Sequence, residues 1–213
     1  MVRVGLTGGI ACGKTVVGEM FAACGAHVVQ ADRMAHELMQ PGGPVYNQVV
    51  LHFGRSILEP DGRINRQKLA QAAFGSTSAS GSAPTSRIEE LNRIVHPAVV
   101  VSQEEWMADI QRRDPHAIAI VEAALILEAG VSHRFDKLVV VTCPQKVRLQ
   151  RFAKRMRLDV DAARQEMERR MAAQLPDEEK IRRADYVIDN SGSLAETEQQ
   201  VDKIMQELRK QAN

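Results

Sequence analysis

GGIACGKT, residues 8–15, stands between a short β-branched run, Val2 to Leu6, and a stretch with apolar residues at helical spacing, Lys14 to Ala23. It fills every fixed position of G-x-x-x-x-G-K-[ST]: Gly8 and Gly13 are the glycines, Lys14 the lysine and Thr15 the hydroxyl. Glycines let successive backbone N–H groups point into one concavity, and the helix that begins there adds its positive end. Lys14 then reaches the outer phosphates and Thr15 offers a hydroxyl to Mg²⁺, which makes a triphosphate cradle. Gly8, Gly9, Ile10, Ala11, Cys12, Gly13, Lys14, Thr15 and Val16 are therefore the candidate ATP-binding residues. Cys12 reads as a small filler of the loop, with redox sensitivity the weaker alternative.

Outward from the loop, the chain alternates strands and helices. His27 to Gln30 reads as a second strand, and Asp32 to Gln40 as a helix stopped by Pro41-Gly42-Gly43. From Val45 to Val95 the spacing is helical, with a break at Pro60-Asp61-Gly62 and Asn65 placed to cap a helix running to Phe74. Residues 75–86, GSTSASGSAPTS, are low in complexity and cannot bury enough apolar area to offset ordering entropy, so they predict a mobile loop. Pro97 is placed to open the helix that carries Trp106 and Ile110. Ala117 to Val121, Leu138 to Thr142 and Tyr186 to Ile188 are short apolar runs of the kind that make buried parallel strands. Ser193 and Glu196 form a capping box on a last helix whose inner stripe is Val201, Ile204, Met205 and Leu208. The pattern predicts one α/β unit with a parallel sheet covered on both faces.

Composition narrows the function classes. A hydrophobic fraction of 44% and a charged fraction of 26% are those of an ordinary globule. With 28 basic and 27 acidic residues the net charge is +1, so no global field holds nucleic acid or an anionic membrane. Cys12, Cys24 and Cys143 make no CxxC pair and no disulfide framework, which fits a reducing compartment. No apolar run approaches the roughly 18 residues needed to cross a bilayer, and the N-terminus lacks a signal peptide; a cytoplasmic protein, monomeric or weakly self-associating, is expected.

Two classes of P-loop protein compete, a nucleotide-binding regulator and a kinase acting on a small molecule. A guanine-reading N-K-x-D segment is absent, and Asp189-Asn190-Ser191-Gly192 matches D-x-x-G only near the C-terminus, in the wrong order. A kinase needs an acid for the acceptor hydroxyl, cations for the moving phosphoryl group and a lid against water. Asp32 lies at the carboxyl end of the second strand, where ligands gather in open α/β sheets, although an aspartate there also suits a plain helix cap. Arg148, Arg151 and Arg155 share one helix face after the fourth strand and precede a charged helical excursion, Asp161 to Gln174, placed as a lid would be. Glu122, after the third strand, is the candidate acid for the metal shell. Glu128 reads as structural before functional, and His96 as a turn histidine or a substrate-pocket residue.

Taken together, GLTGGIACGKT, ADRMAHEL around Asp32, LNRIVHP ending at His96-Pro97, EAALILEAG, the arginine helix RLQRFAKR and the stretch from Gln174 through ADYVIDNSGS resemble the dephospho-CoA kinase family over nearly the whole chain. The resemblance implies a five-stranded P-loop kinase core, residues 1–40, 115–145 and 184–213, a helical CoA-binding insertion, residues 41–114, and a helical lid, residues 146–183. It implies transfer of the ATP γ-phosphoryl group to the ribose 3′-hydroxyl of dephospho-CoA, with Mg²⁺. In that reading Asp32 is the acceptor-side carboxylate, Lys14 and Arg151 act on the moving phosphoryl group and Arg155 reaches the phosphates. Thr15 and Glu122 serve the metal, and His96, Leu125 and Glu128 join Asp32 on the substrate side. Arg148 departs from the family pattern, where a glutamine is common at that position, as do Ala124 and Met156. Another P-loop small-molecule kinase and a regulator without an acceptor are the alternatives.

Overall fold

The structure, a computed structural model, describes residues 1–74, 87–172 and 174–213; the loop expected over residues 75–86 lies outside them. Two compact units emerge, residues 1–30 with 107–213, and residues 31–106.

The first unit is built on one sheet of five parallel strands, β1 (Val2–Gly8), β2 (His27–Gln30), β3 (Ile118–Glu122), β4 (Lys137–Thr142) and β5 (Tyr186–Asp189), in the order β2-β3-β1-β4-β5. The central strands β1, β3 and β4 are buried along nearly their whole length because both faces of the sheet are covered there, while β2 and β5 at the edges are partly exposed. On β4, Val139 and Val141 join a core with Val17 and Phe21 of helix α1 (Lys14–Ala23). Val201, Ile204, Met205 and Leu208 of the C-terminal helix (Leu194–Ala212) complete that core, and they are the stripe read from the sequence. Leu138 and Val140, facing the other way, pack with Ile126 and Leu127. The C-terminal helix starts on the expected capping box, with Ser193 and Glu196 satisfying each other's backbone N–H.

The second unit is helical: α2 (Ala31–Leu38), α3 (Pro44–Phe53), a 3₁₀ turn at Arg55–Ile57, α4 (Arg66–Phe74) and the greater part of α5 (Ile88–Arg113). Val45, Val49 and Phe53 of α3 are buried as their spacing requires, and the Asn65 side chain caps α4 by accepting from the Lys68 N–H at 2.9 Å. Arg87 holds the start of α5, with Nε 2.7 Å from Glu90 and its guanidinium stacked 4.6 Å over Phe53.

Pro97 does not open a helix. It lies inside α5, although a proline there forfeits one backbone hydrogen bond and costs about 3 kcal/mol. Val95 and Val99, buried four residues apart on either side of it, supply the packing that keeps the helix continuous.

Between β4 and β5 the described residues form three helices, α6 (Gln145–Met156), α7 (Val160–Met171) and α8 (Asp177–Arg182), and the C-terminal helix is thus α9. Asp159 caps α7 through its carboxylate, which accepts from the N–H groups of Asp161 and Ala162 at 3.0 and 2.9 Å.

Candidate phosphate-binding site

The glycine loop leaves β1 at Gly8 and enters α1 at Lys14. Three of its residues have positive φ, Gly8 with φ 151, Ala11 with φ 55 and Gly13 with φ 95. At Gly13 only glycine fits: a Cβ there would strike the Asn190 amide as well as strain the chain. Ala11 accepts the same region at a cost of roughly 1–2 kcal/mol, strain that shapes the concavity of N–H groups. Cys12 fills the space beneath, fully buried, and that burial pushes its thiol pKa up, so it is a filler and not a thiolate nucleophile.

Lys14 curls over this concavity, its Nζ 3.1 Å from the carbonyls of both Gly8 and Gly9, so its ammonium stands at the loop. Thr15 Oγ1 donates to Glu122 Oε1 at 2.8 Å. Glu122 is the last residue of β3, paired in register with Leu6 of β1 and Gln30 of β2, so the carboxyl ends of three strands converge on this acid. Convergence of that kind is what ligand sites at the ends of parallel strands require. The pair joins a hydroxyl to a carboxylate, both hard oxygen donors, which suits a divalent cation shared with phosphates. Val16, next on α1, is partly exposed.

Two residues outside the motif hold the loop in place. Asn190, buried just beyond β5, donates from Nδ2 to the Cys12 carbonyl at 2.8 Å and accepts from Thr197 Oγ1 at 3.0 Å. Its position in a DNSG string gave no hint of this, because the partner lies 178 positions away. Arg148, read from the sequence as one of a row, is instead buried, its Nε donating to the Cys143 carbonyl at 2.8 Å and Nη2 paired with Asp177.

The other arginines of α6 separate. Arg151 is half-buried against the loop, with Nη1 3.7 Å from the point a Cβ on Gly13 would occupy. Arg155 is exposed, its guanidinium 5.5 Å over the Phe152 ring. Phe152 forms a small core with Ala163 and Met167, and Ile10 of the loop is part of it. Glu128 sits in a buried ion pair, Oε1 at 2.9 Å from Lys180 Nζ and also accepting from the Leu175 N–H at 2.9 Å. Leu125, three residues earlier, is partly exposed. Asp32, in the first turn of α2, and His96, on α5, are exposed residues of the second unit.

Comparison with known proteins follows the same lines. The family model for dephospho-CoA kinase matches residues 2–196. A dephospho-CoA kinase of Aquifex aeolicus is 39% identical over 98% of this chain and 98% of its own length, and one of Syntrophotalea carbinolica is 40% identical over 98% and 92%. Among solved structures, a dephospho-CoA kinase from Campylobacter jejuni superposes with a TM-score of 0.69 at 25% identity, covering 99% of this chain and 98% of its own.

Proposed function

The chain belongs to the dephospho-CoA kinase family, and we propose that it transfers the γ-phosphoryl group of Mg-ATP to the ribose 3′-hydroxyl of dephospho-CoA, giving CoA and ADP. The observation that supports the ATP side of this reading beyond likeness is the loop itself: a left-handed Gly13, the Lys14 ammonium at its mouth and the Thr15 hydroxyl on Glu122 together suit a phosphate cradle.

In this mechanism the loop's N–H groups and the positive end of α1 take the β- and γ-phosphates, and Lys14 leaves its carbonyl partners for the γ-phosphoryl oxygens. Thr15 and Glu122 are the residues that would hold Mg²⁺, which supplies charge neutralisation along the phosphates. Arg151, lying against Gly13, offers the charge-matched hydrogen bonds that strengthen as negative charge spreads over the transferring group. Arg155, exposed on α6 with its guanidinium over the buried Phe152 ring, adds a second cation. Asp32 is assigned to the acceptor hydroxyl, as the group that orients it and accepts its proton; His96 and Leu125 are assigned to binding dephospho-CoA. Glu128 supports that side indirectly, since its Oε1 is committed to Lys180 and the Leu175 N–H.

Asp32→Asn tests the assignment of the acid. Turnover falls about 10²- to 10⁴-fold, the usual worth of a general base. Mg-ATP affinity, measured by calorimetry, stays at the wild-type value. A variant that keeps near wild-type turnover with dephospho-CoA removes Asp32 from the chemistry.

A further inference from the structure

Behind the phosphate loop lies a fully enclosed guanidinium. Arg148 is 3% exposed and is fixed on three sides. Nε donates to the Cys143 carbonyl at 2.8 Å, at the end of β4. Nη2 is paired with the Asp177 carboxylate in the first turn of α8. The third side faces Gly9: a Cβ on that residue would overlap Nη1, would lie 2.9 Å from Cζ and 3.1 Å from Asp177 Oδ1. Gly9 has no left-handed backbone, so a side chain is excluded there by lack of room and not by conformation. Burial works against the charge on Arg148, yet the hydrogen bond and charge of Asp177 hold its pKa above the ordinary arginine value.

The partner that clamps Arg148 is itself fixed. One turn after Asp177, Lys180 is fully buried against Glu128, and the chain just before α8 is tied to the same carboxylate through the Leu175 N–H. Helix α8 therefore has two ionic anchors, the buried Lys180–Glu128 pair and the part-buried Asp177–Arg148 pair, and cannot slide without breaking one, which costs several kcal/mol when a buried charge is left unpaired. Beside Gly9, Ile10 is held by Phe152 of α6. The loop's outer surface thus rests on a rigid support of known residues, while its inner surface presents the N–H groups.

We propose that Arg148 is a positioning residue of the phosphate loop: its flat guanidinium, clamped by Asp177 and the Cys143 carbonyl, sets where Gly9 sits and so where the loop's N–H groups aim. The planar fork matters, because a lysine at this position would bring one point charge and could not hold both acceptors while backing a peptide. The proposal rests on the reading of the loop as the ATP site and deepens it.

The experiment uses Arg148→Met, Arg148→Lys, Gly9→Ala and the Gly9→Ala/Arg148→Met pair, with Mg-ATP affinity by calorimetry, KM for each substrate and thermal unfolding. Loss of backing shifts the loop by less than the ~1 Å displacement that costs a hundredfold, so Arg148→Met and Gly9→Ala each weaken Mg-ATP about tenfold in Kd and KM. KM for the acceptor stays within about twofold, Arg148→Lys fails to restore affinity, and the paired variant loses less than the product of the single losses. Arg148→Met that is folded and binds Mg-ATP as the wild type does overturns the proposal, as does an equal rise in both KM values. Should Arg148→Met not fold, Gly9→Ala decides: wild-type nucleotide affinity in that variant overturns the proposal. A wild-type enzyme that binds no ATP sinks the reading of the loop as well, which separates the two failures.

Discussion

Thr15 and Glu122 are 107 positions apart in sequence and 2.8 Å apart in space, and that single contact ties the phosphate loop to β3. Glu122→Gln keeps the shape and the hydrogen bond while removing the charge that a divalent cation would feel. The enzyme should then need about 10- to 100-fold more Mg²⁺ for half-maximal activity, the usual loss when a carboxylate near a bound metal is neutralised. A Mg²⁺ titration of initial rates measures it, and an unchanged midpoint removes Glu122 from the metal's surroundings. Thr15, Lys14 and the loop glycines were legible from sequence because the motif is contiguous and each fixed residue has its own chemical duty. Asn190 and Arg148 were not. Their partners, Cys12 and Asp177, are reached only after the sheet and the α6–α8 segment have formed, and no local period encodes such pairs.

At the scale of elements, α7 carries a compact ion cluster in which Glu166 faces Arg169 and Arg170, with Nε–O distances of 2.8 and 2.7 Å. The hydrogen bond from Arg169 leads in drawing the Glu166 pKa down from 4.5 to about 2, with Arg170 adding to it. A carboxyl depressed on folding stabilises the helix above its ordinary pKa and loses that contribution as pH falls from about 4.5 through about 2. A carboxyl-resolved NMR titration should place Glu166 near that lower value, and Arg169→Ala/Arg170→Ala should return it toward 4.5. A midpoint already near 4.5 in the wild type would show that the cluster does not hold in solution. The helices with strong end signals, α1, α4 and α9, were legible to within a residue or two at the ends that matter, because caps and glycines act locally. Helix α5 was not. The proline rule assigns Pro97 a helix start, but the burial of Val95 and Val99 outweighs one missing hydrogen bond, and burial is decided by the whole unit.

Across the molecule, the parallel sheet was legible in the near-continuous apolar strands, since only a sheet covered on both faces buries Leu138, Val139, Val140 and Val141 together. The order β2-β3-β1-β4-β5 was not, because strand neighbours are chosen by crossover geometry. That order matters to function: it sets β1 between β3 and β4, so the loop leaving β1 meets Glu122 on one side and the Cys143 turn with Arg148 on the other. The identity of the acceptor is the central claim. Initial rates of ADP release with Mg-ATP should be compared for dephospho-CoA, adenosine, a nucleoside monophosphate and shikimate as acceptors. Turnover is expected with dephospho-CoA, giving a CoA product carrying a 3′-phosphate, and only background ADP release with the others. Equal or faster turnover on another acceptor, or ATP binding with no acceptor-dependent ADP release at all, would contradict that claim.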